Sequence, residues 1–364
     1  MEKRMKCFQT RLKNLRVKRG LTQKALGELL GYSEKTVSKW ECGAALSDVE
    51  ALFCISEIMK VDIESLFSDG ERYFLGIDGG GTKTDLVLVD SEGKVLRTHK
   101  TEGCNPIDIG LERACEILRT AIFEICAGID RASVWCFAGI AGGSTGGMKA
   151  RLSEFFSEMN FARAVNDSDN KNIIAAGLGK SDGMTVILGT GFCVFTQISG
   201  VHNRLAGWGY IIDEGGSGYN LGKDALSAYF KAVDGSGEKT LLTEEIDKLY
   251  STDELITYIY SAPKRVAASF APAVYSAMRR GDDTALKIFS KNMRFAAEMI
   301  ECASKRFPEG RIPVILAGGL TREAETLSAI KNALNKNDRF DIKTLDTSPV
   351  MGAVKLAMEL FENE

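Results

Sequence analysis

The stretch FLGIDGGGTKTDLVLVD, from Phe74 to Asp90, limits what this chain can fold into more than any other. Its two apolar runs, Phe74 to Ile77 and Leu86 to Val89, have the length and composition of adjacent strands, and a polar, glycine-dense turn separates them. Gly79, Gly80 and Gly81 lack Cβ atoms, so the backbone can bend sharply and bring its N–H groups close to an anion. Thr82, Lys83 and Thr84 add donors and charge. Asp78 closes the first strand, where a carboxylate can hold a hydrated Mg²⁺ together with phosphate oxygens or simply cap the strand end. The turn is not a Walker A loop: counted from Gly76, that pattern requires lysine at position 82, which is Thr82.

The arrangement repeats. Met184 to Leu188 reads as a strand, Gly189, Thr190 and Gly191 as a turn, and Phe192 to Ile198 as the next strand, with Thr190 standing where Thr82 stood. Two such hairpins face to face can clamp the phosphates of one nucleotide. Farther on, Ile312 to Leu316 is a strand ending in AGGLT, where Gly318 and Gly319 let a ring or ribose approach the backbone. Between the hairpins the pattern predicts a strand at Val95 to Lys100, a helix at Leu111 to Ala127 and a strand at Ser133 to Ala138 running into GIAGGSTGG. A helix from Met148 to Met159 and a short strand ending at Asp167 complete this part, and strands alternating with helices predict an α/β fold.

With 364 residues, 45% hydrophobic and 26% charged, the chain is long enough for two or three domains. No apolar run approaches the roughly 20 residues of a membrane span, and the N-terminus has charge without an apolar core, so no signal peptide is read and a cytoplasmic location is expected. Nine scattered cysteines contain no CxxC pair and suggest neither a disulfide framework nor a zinc or iron–sulfur site. With only His99 and His202 available, histidine metal sites and histidine-based triads are not expected.

The net charge of −3 hides an asymmetry. Residues 1–39 carry eleven basic and three acidic side chains, a net of +8, which points to a polyanionic partner. Phe8, Leu12, Leu15 and Val17 recur at helical spacing, Gly20 stops that helix, and Thr22 can cap a second from Gln23 to Leu30. Gly31 makes a turn and Ser33 caps a third helix, with Val37 and Trp40 inward and Glu34, Lys35, Thr36, Ser38 and Lys39 outward. Helices near Ser47 to Met59 and Ile63 to Phe67 complete a five-helix bundle, and Ser68, Asp69 and Gly70 read as a linker. This is a helix-turn-helix in outline, either a DNA reader or a helical interaction module.

LTQKALGELLGYSEKTVSKWE resembles the Cro and phage-repressor helix-turn-helix. The resemblance implies binding to double-stranded DNA through Gln23, Lys35, Thr36, Ser38 and Lys39, with a homodimer expected because half-site reading normally needs one. From Tyr73 onward the chain resembles the superfamily of sugar kinases, actin and heat-shock ATPases, and within it the N-acetylglucosamine kinase and BadF-type ATPase branch. IDGGGTKT resembles its first phosphate motif, ILGTG the second, VILAGGL the adenosine motif, and GWGYIIDEGGSGYNLG the segment that shapes the sugar pocket.

The resemblance implies a two-lobed actin-like ATPase fold behind a small all-α domain, divided as 1–69, 72–180 and 181–364. It also implies ATP and Mg²⁺ as cofactors and a small sugar as partner. By position, Asp78 would hold Mg²⁺, and Gly80, Gly81, Thr82, Lys83, Gly189, Thr190 and Gly191 would bind phosphate, with Gly318 and Gly319 at the adenosine. Asp167 would be the general base that accepts a proton from the sugar hydroxyl, or else a helix cap. Asn105, Trp208, Gly209 and Glu214 would line the sugar pocket, although Asn105 can be only a turn residue and Trp208 only core.

Two departures stand out. Phe192 replaces the serine of GTGS, and Glu214 occupies the position of the aspartate in GDEGS. The resemblance thus implies an ATP-dependent kinase of an amino sugar or related hexose that takes part in transcriptional regulation. The alternatives are a catalytically weak sugar- or nucleotide-sensing regulator and a BadF-type activator, the latter disfavoured by the lack of clustered cysteines.

Overall fold

Caps set the punctuation of the N-terminal helices in the computed structural model, which describes residues 2–67, 72–261, 263–335 and 337–362. Helix α1 spans Glu2–Lys18, α2 Gln23–Leu30, α3 Glu34–Cys42, α4 Val49–Met59 and α5 Ile63–Leu66. The side chains of Thr22, Ser33 and Asp48 accept from Ala25 N, Thr36 N and Ala51 N. Each such cap is worth about 1 kcal/mol. Gly31, at φ 77°, makes the turn between α2 and α3. Phe8, Leu12, Leu26, Val37, Trp40 and Ile55 form the core of this bundle. The expected linker at Ser68, Asp69 and Gly70 lies outside the described residues.

Two five-stranded sheets of identical plan follow. The first contains β1 (Tyr73–Gly79), β2 (Lys83–Val89), β3 (Val95–Glu102), β4 (Val134–Ile140) and β5 (Arg163–Asp167), in the order β3-β2-β1-β4-β5. Helices α6 (Pro106–Ile109), α7 (Leu111–Ile125), α8 (Met148–Ser157) and α9 (Asn170–Gly177) are threaded through it. The second contains β6 (Gly183–Leu188), β7 (Phe192–Ile198) and β8 (Val201–Leu205). There follow α10 (Gly218–Val233), α11 (Leu242–Asp247), α12 (Thr252–Ser261), α13 (Pro263–Ser269), α14 (Ala271–Arg279) and α15 (Asp283–Ser304). Then come β9 (Ile312–Ala317), α16 (Ala324–Ala333), β10 (Phe340–Thr344) and α17 (Pro349–Glu362). Its strand order, β10-β9-β6-β7-β8, repeats the first. In each sheet the opening hairpin is antiparallel and the next two strands join parallel to its first strand.

The division at residue 181 needs a correction. Helix α17 was expected in the second lobe, but Val350, Ala353, Val354 and Ala357 bury against Phe74, Val87, Val89 and Phe137 of the first sheet. Conversely, α9 reaches the second sheet, where Gln197 of β7 donates to the carbonyls of Gly179 and Ser181 just past the helix end. The two sheets exchange covering helices. Where α9 and α17 cross, a Cβ at Gly352 would lie 1.9 Å from Asn172 O, so the crossing admits only glycine there. Each half still has a core of its own: α7 and α8 against the other face of the first sheet, and α10, α14 and α15 against the second. Among the described residues no helix is long and apolar enough to cross a membrane.

Candidate active site

Three strand ends and the start of α9 build the site. β1, β4 and β5 lie side by side and parallel, with Asp78 paired to Gly139 and Gly139 to Asp167 in register. Both carboxylates therefore emerge at the same sheet edge, one strand apart. That edge is where α/β sheets place ligands, since strands there hand over to loops and helices.

Asn172, a residue the sequence reading did not single out, fixes Asp78. Its Nδ2 donates to Asp78 Oδ1 at 2.7 Å and to Ile77 O at 3.2 Å, while its own Oδ1 is buried with no partner. Asp169, also not singled out, completes the group; only the run DSDN hinted at it. Burial raises the Asp78 carboxyl to about 6, the Asn172 bond works against this, and the charge of Asp169 adds to it. Burial likewise raises Asp169. Among the described residues no cluster of three or more ligating side chains could hold a metal alone. Two desolvated, mutually repelling carboxylates with an orphaned acceptor alongside suit a hydrated Mg²⁺, which takes one or two carboxylates and completes its shell with water and phosphate oxygens.

This desolvation makes a testable statement about the metal-free protein. A carboxyl at about 6 when folded and near 3.8 when unfolded binds its proton more tightly in the native state, so its contribution favours folding below pH 4 and is lost as pH rises through 6. Two pK units correspond to about 3 kcal/mol, so Asp78→Asn should stabilise the metal-free protein at pH 7.5 by about 1–3 kcal/mol. Thermal melts of both proteins from pH 4.5 to 8 check this, with the difference shrinking toward pH 4.5. An Asp78→Asn protein no more stable at pH 7.5 than at pH 4.5 relative to wild type contradicts it.

The expected phosphate groups divide on inspection. Gly80 is held by Lys83 O, which accepts from its N–H at 2.9 Å, while Gly81 and Thr82 are exposed. The ammonium of Lys83 pairs with Asp85 on its own strand. In the second hairpin Gly189 N donates to Gly191 O at 3.0 Å, and Thr190 and Gly191 face solvent. Gly218 and Tyr219, at the start of α10, donate to the carbonyls of Gly189 and Thr190 at 2.8 and 3.2 Å and hold that turn in place. Gly318 has φ 104°, and a Cβ there would lie 2.5 Å from Leu188 O, so the glycine pair ending β9 is packed directly on the base of the second turn. Gly319 follows it in a short 3₁₀ turn. The second hairpin meets the first group through Cys193 of β7, whose Sγ lies 3.9 Å from Asn170 Oδ1 and whose thiol is raised by burial and then by the charge of Asp169.

Asp167 sits in a polar setting. Its Oδ2 accepts from Lys149 Nζ at 2.7 Å and its Oδ1 from Ser168 N at 2.8 Å. Burial pushes this carboxyl up, but Lys149 and the Ser168 amide outweigh it and hold it below the ordinary value. It does not cap α9: Asp169 occupies the N-cap position and makes no side-chain cap bond.

The residues expected around a sugar separate into two places. Trp208 is 61% exposed, with the Arg204 guanidinium 4.0 Å over its ring, so it is not core. Gly209 N donates to Asp213 Oδ2 at 2.9 Å. Asn105 caps α6: its Oδ1 accepts from Ile107 N and its Nδ2 donates to Asp108 Oδ2. Glu214 is exposed and lines a depression of about 550 Å³ with Lys287, Lys291, Arg294 and Phe295 of α15. The carboxylate of the neighbouring Asp213 is held by the Gly209 amide. Phe192, at the position of the expected serine, is buried with its ring 5.5 Å from that of Phe295, so it fills the core of the second half and does not point into the cleft.

In the N-terminal bundle Lys35 and Lys39 are exposed on one side of α3, with Ser38 and Thr36 beside them, and Thr36 Oγ1 is bonded to the capping Ser33. Gln23 is engaged differently: its Nε2 donates to Glu41 Oε2 at 2.8 Å, and Glu41 also pairs with Arg16 through both oxygens. Gln23 thus belongs to a network that pins α1 and α2 to α3.

Comparison with known proteins agrees with both halves. Residues 75–357 match the family described as BadF/BadG/BcrA/BcrD ATPase, and residues 12–66 match a helix-turn-helix family. An N-acetylmuramic acid/N-acetylglucosamine kinase of Clostridium acetobutylicum is 28% identical over 305 residues, covering 79% of this chain and 98% of that protein. A crystal structure of an N-acetylglucosamine kinase candidate from Chromobacterium violaceum superposes with a TM-score of 0.65 at 26% identity, over 79% of this chain and 99% of its own. The helix-turn-helix transcriptional activator BcrR of Enterococcus faecalis is 41% identical over 64 residues, 18% of this chain and 31% of that one.

Proposed function

Because the chain belongs to the BadF/BadG/BcrA/BcrD ATPase family, we propose that it is an ATP-dependent kinase that phosphorylates a hydroxyl of an amino sugar or related hexose and binds double-stranded DNA through its N-terminal helices. The observation that carries the reading is the pair Asp78 and Asp167, one strand apart on one sheet edge, each in a setting suited to a different task.

The desolvated carboxylate is the cation holder. Mg²⁺ bound at Asp78, with Asp169 behind it, would neutralise the charge of the β- and γ-phosphate oxygens. The glycine turns of β1–β2 and β6–β7 supply backbone N–H groups to the triphosphate, and Gly318 and Gly319 border the adenosine. Asp167, ionised at neutral pH, takes the proton of the sugar hydroxyl as that oxygen forms its bond to the γ-phosphorus and ADP leaves with the electrons of the breaking P–O bond. Lys149 orients Asp167 and keeps it charged between turnovers. Trp208, Gly209 and Asp213 form the wall on the second-sheet side, and Asn105 shapes the loop opposite.

On this reading residues 1–69 form the DNA-binding part, acting as a homodimer over two half-sites, and the remainder forms two lobes that exchange α9 and α17. ADP release measured with Mg²⁺ and a panel of hexoses and hexosamines tests it. At least one sugar is expected to stimulate turnover. If none does, and a sugar instead alters DNA affinity, the second reading stands: a sensor in which sugar or nucleotide biases the DNA-binding state without chemistry. The fused helix-turn-helix favours giving that second reading a place.

A further inference from the structure

Helix α12, away from the residues of the site, has an outer face that its own chain leaves in solvent. Leu255, Tyr258 and Ile259 turn inward and pack with the core of the second half. That leaves Asp253, Ile256 and Tyr260, at spacings of three and four, in a row on the opposite side. Ile256 is 45% and Tyr260 80% exposed, and neighbouring apolar side chains of this kind mark a contact surface as scattered single ones do not. The same spacing reaches Lys264 on α13, which begins one residue after α12 ends, and Arg265 stands beside it in solvent. Among the described residues Asp253, Lys264 and Arg265 belong to no ion pair. Glu254 accepts from Ser251 N and Oγ through Oε2 alone, which leaves its second oxygen open.

The row thus reads acid, apolar, base, an order that matches its own reverse. Laid antiparallel on a second copy, with the twofold axis between Tyr258 and Ile259, Asp253 meets the partner's Lys264 and Glu254 meets the partner's Arg265. Tyr260 then meets the partner's Ile256 and Thr257, and every contact occurs twice. A parallel copy would set Asp253 on Asp253 and is disfavoured by charge.

We infer that α12 and the start of α13 form an isologous antiparallel contact between two copies of this chain, with Tyr260 near its axis and the Asp253 to Lys264 pairs at its ends. This rests on the homodimer of the DNA-binding reading, for which it supplies the surface. A standard interface buries roughly 800 Å² on each partner, and a pair of ten-residue helices, about 15 Å long, covers less. The dimer is therefore of about micromolar strength in free solution and fills at high protein concentration or on two adjacent half-sites.

Sedimentation equilibrium of the full-length protein from about 1 to 200 μM at low salt tests this, with a monomer–dimer equilibrium expected in that range. Asp253→Lys alone and Lys264→Glu alone should each weaken association by at least about tenfold, because two attractions become two repulsions. The double variant should recover most of that loss, and added salt should shrink all these differences. Tyr260→Ser should weaken association as well, through lost apolar contact that salt does not touch. All three side chains stand at the surface, so the thermal melts should not move. A protein still monomeric at the highest concentration, a dimer indifferent to either reversal, or a double variant no better than the singles overturns the proposal. A dimer that responds as expected yet binds no DNA refutes the DNA-binding reading and leaves this contact standing. DNA bound by a strict monomer does the reverse.

Discussion

Asp167→Asn is expected to lower kcat for sugar-dependent ADP release by about 10²–10⁴-fold while nucleotide affinity changes by less than about threefold. The asparagine keeps the size of the side chain but only one acceptor oxygen, so it can keep the bond from Lys149 Nζ or from Ser168 N and not both, a loss that the thermal melt reads separately from kcat. What disappears is the ability to take up the hydroxyl proton. A role confined to holding the Lys149 ammonium and the Ser168 amide would instead leave kcat near that of wild type. Steady-state kinetics with the best acceptor, together with nucleotide titration and a thermal melt, separates the two. An Asp167→Asn enzyme with kcat within threefold of wild type would remove this residue from the chemistry.

The second large effect is expected at the other end of the chain. Lys35→Ala combined with Lys39→Ala should weaken DNA binding by roughly 10²–10³-fold at low salt and flatten the dependence of log affinity on log salt by about two units. The effect should be purely one of recognition, because both side chains stand in solvent on α3 while Val37 and Trp40 hold the helix to the bundle. The melting temperature should therefore stay put. Binding that is unchanged in the double variant at every salt concentration would show that α3 is not the element that enters the groove. Gln23 makes an instructive contrast. Its bond to Glu41 ties it to a nearly buried ion pair, so Gln23→Ala should perturb the bundle as well as any contact it makes with DNA.

What could be read in the sequence was whatever local chemistry dictates. The caps Thr22 and Ser33, the turn at Gly31 and the glycine corners of both hairpins announced themselves, because each rests on a backbone requirement that few residues satisfy. The two hairpins also exposed the internal duplication. Elements whose pattern is weaker, β8 and β10, went unread: β8 alternates too little, and β10 offers only Phe340 and Ile342 as buried residues.

In the site, motif positions located Asp78 and Asp167, but partners distant in sequence were invisible. Asn172 reaches Asp78 across 94 positions, and only folding brings them together. The glycine-rich run around Glu214 has the same character: its register is tied down by Asn292 of α15, which accepts from Gly216 N across 76 positions. Lys83 shows the limit at short range: a charge next to a glycine turn does not announce its pairing with Asp85, two residues on along the same strand.

The swapped helices carry a consequence for how this protein is made. While the chain leaves the ribosome, the first sheet is complete by residue 167, yet the apolar patch of Phe74, Val87, Val89 and Phe137 stays bare until residues 349–362 have been synthesised. For more than half of translation the nascent chain therefore shows an unprotected sticky surface, of the kind that chaperones bind and that aggregates when they are scarce. A nonsense mutation between Asp167 and α17 would do more than shorten the protein. It would strand the earliest-made lobe in that half-clothed state.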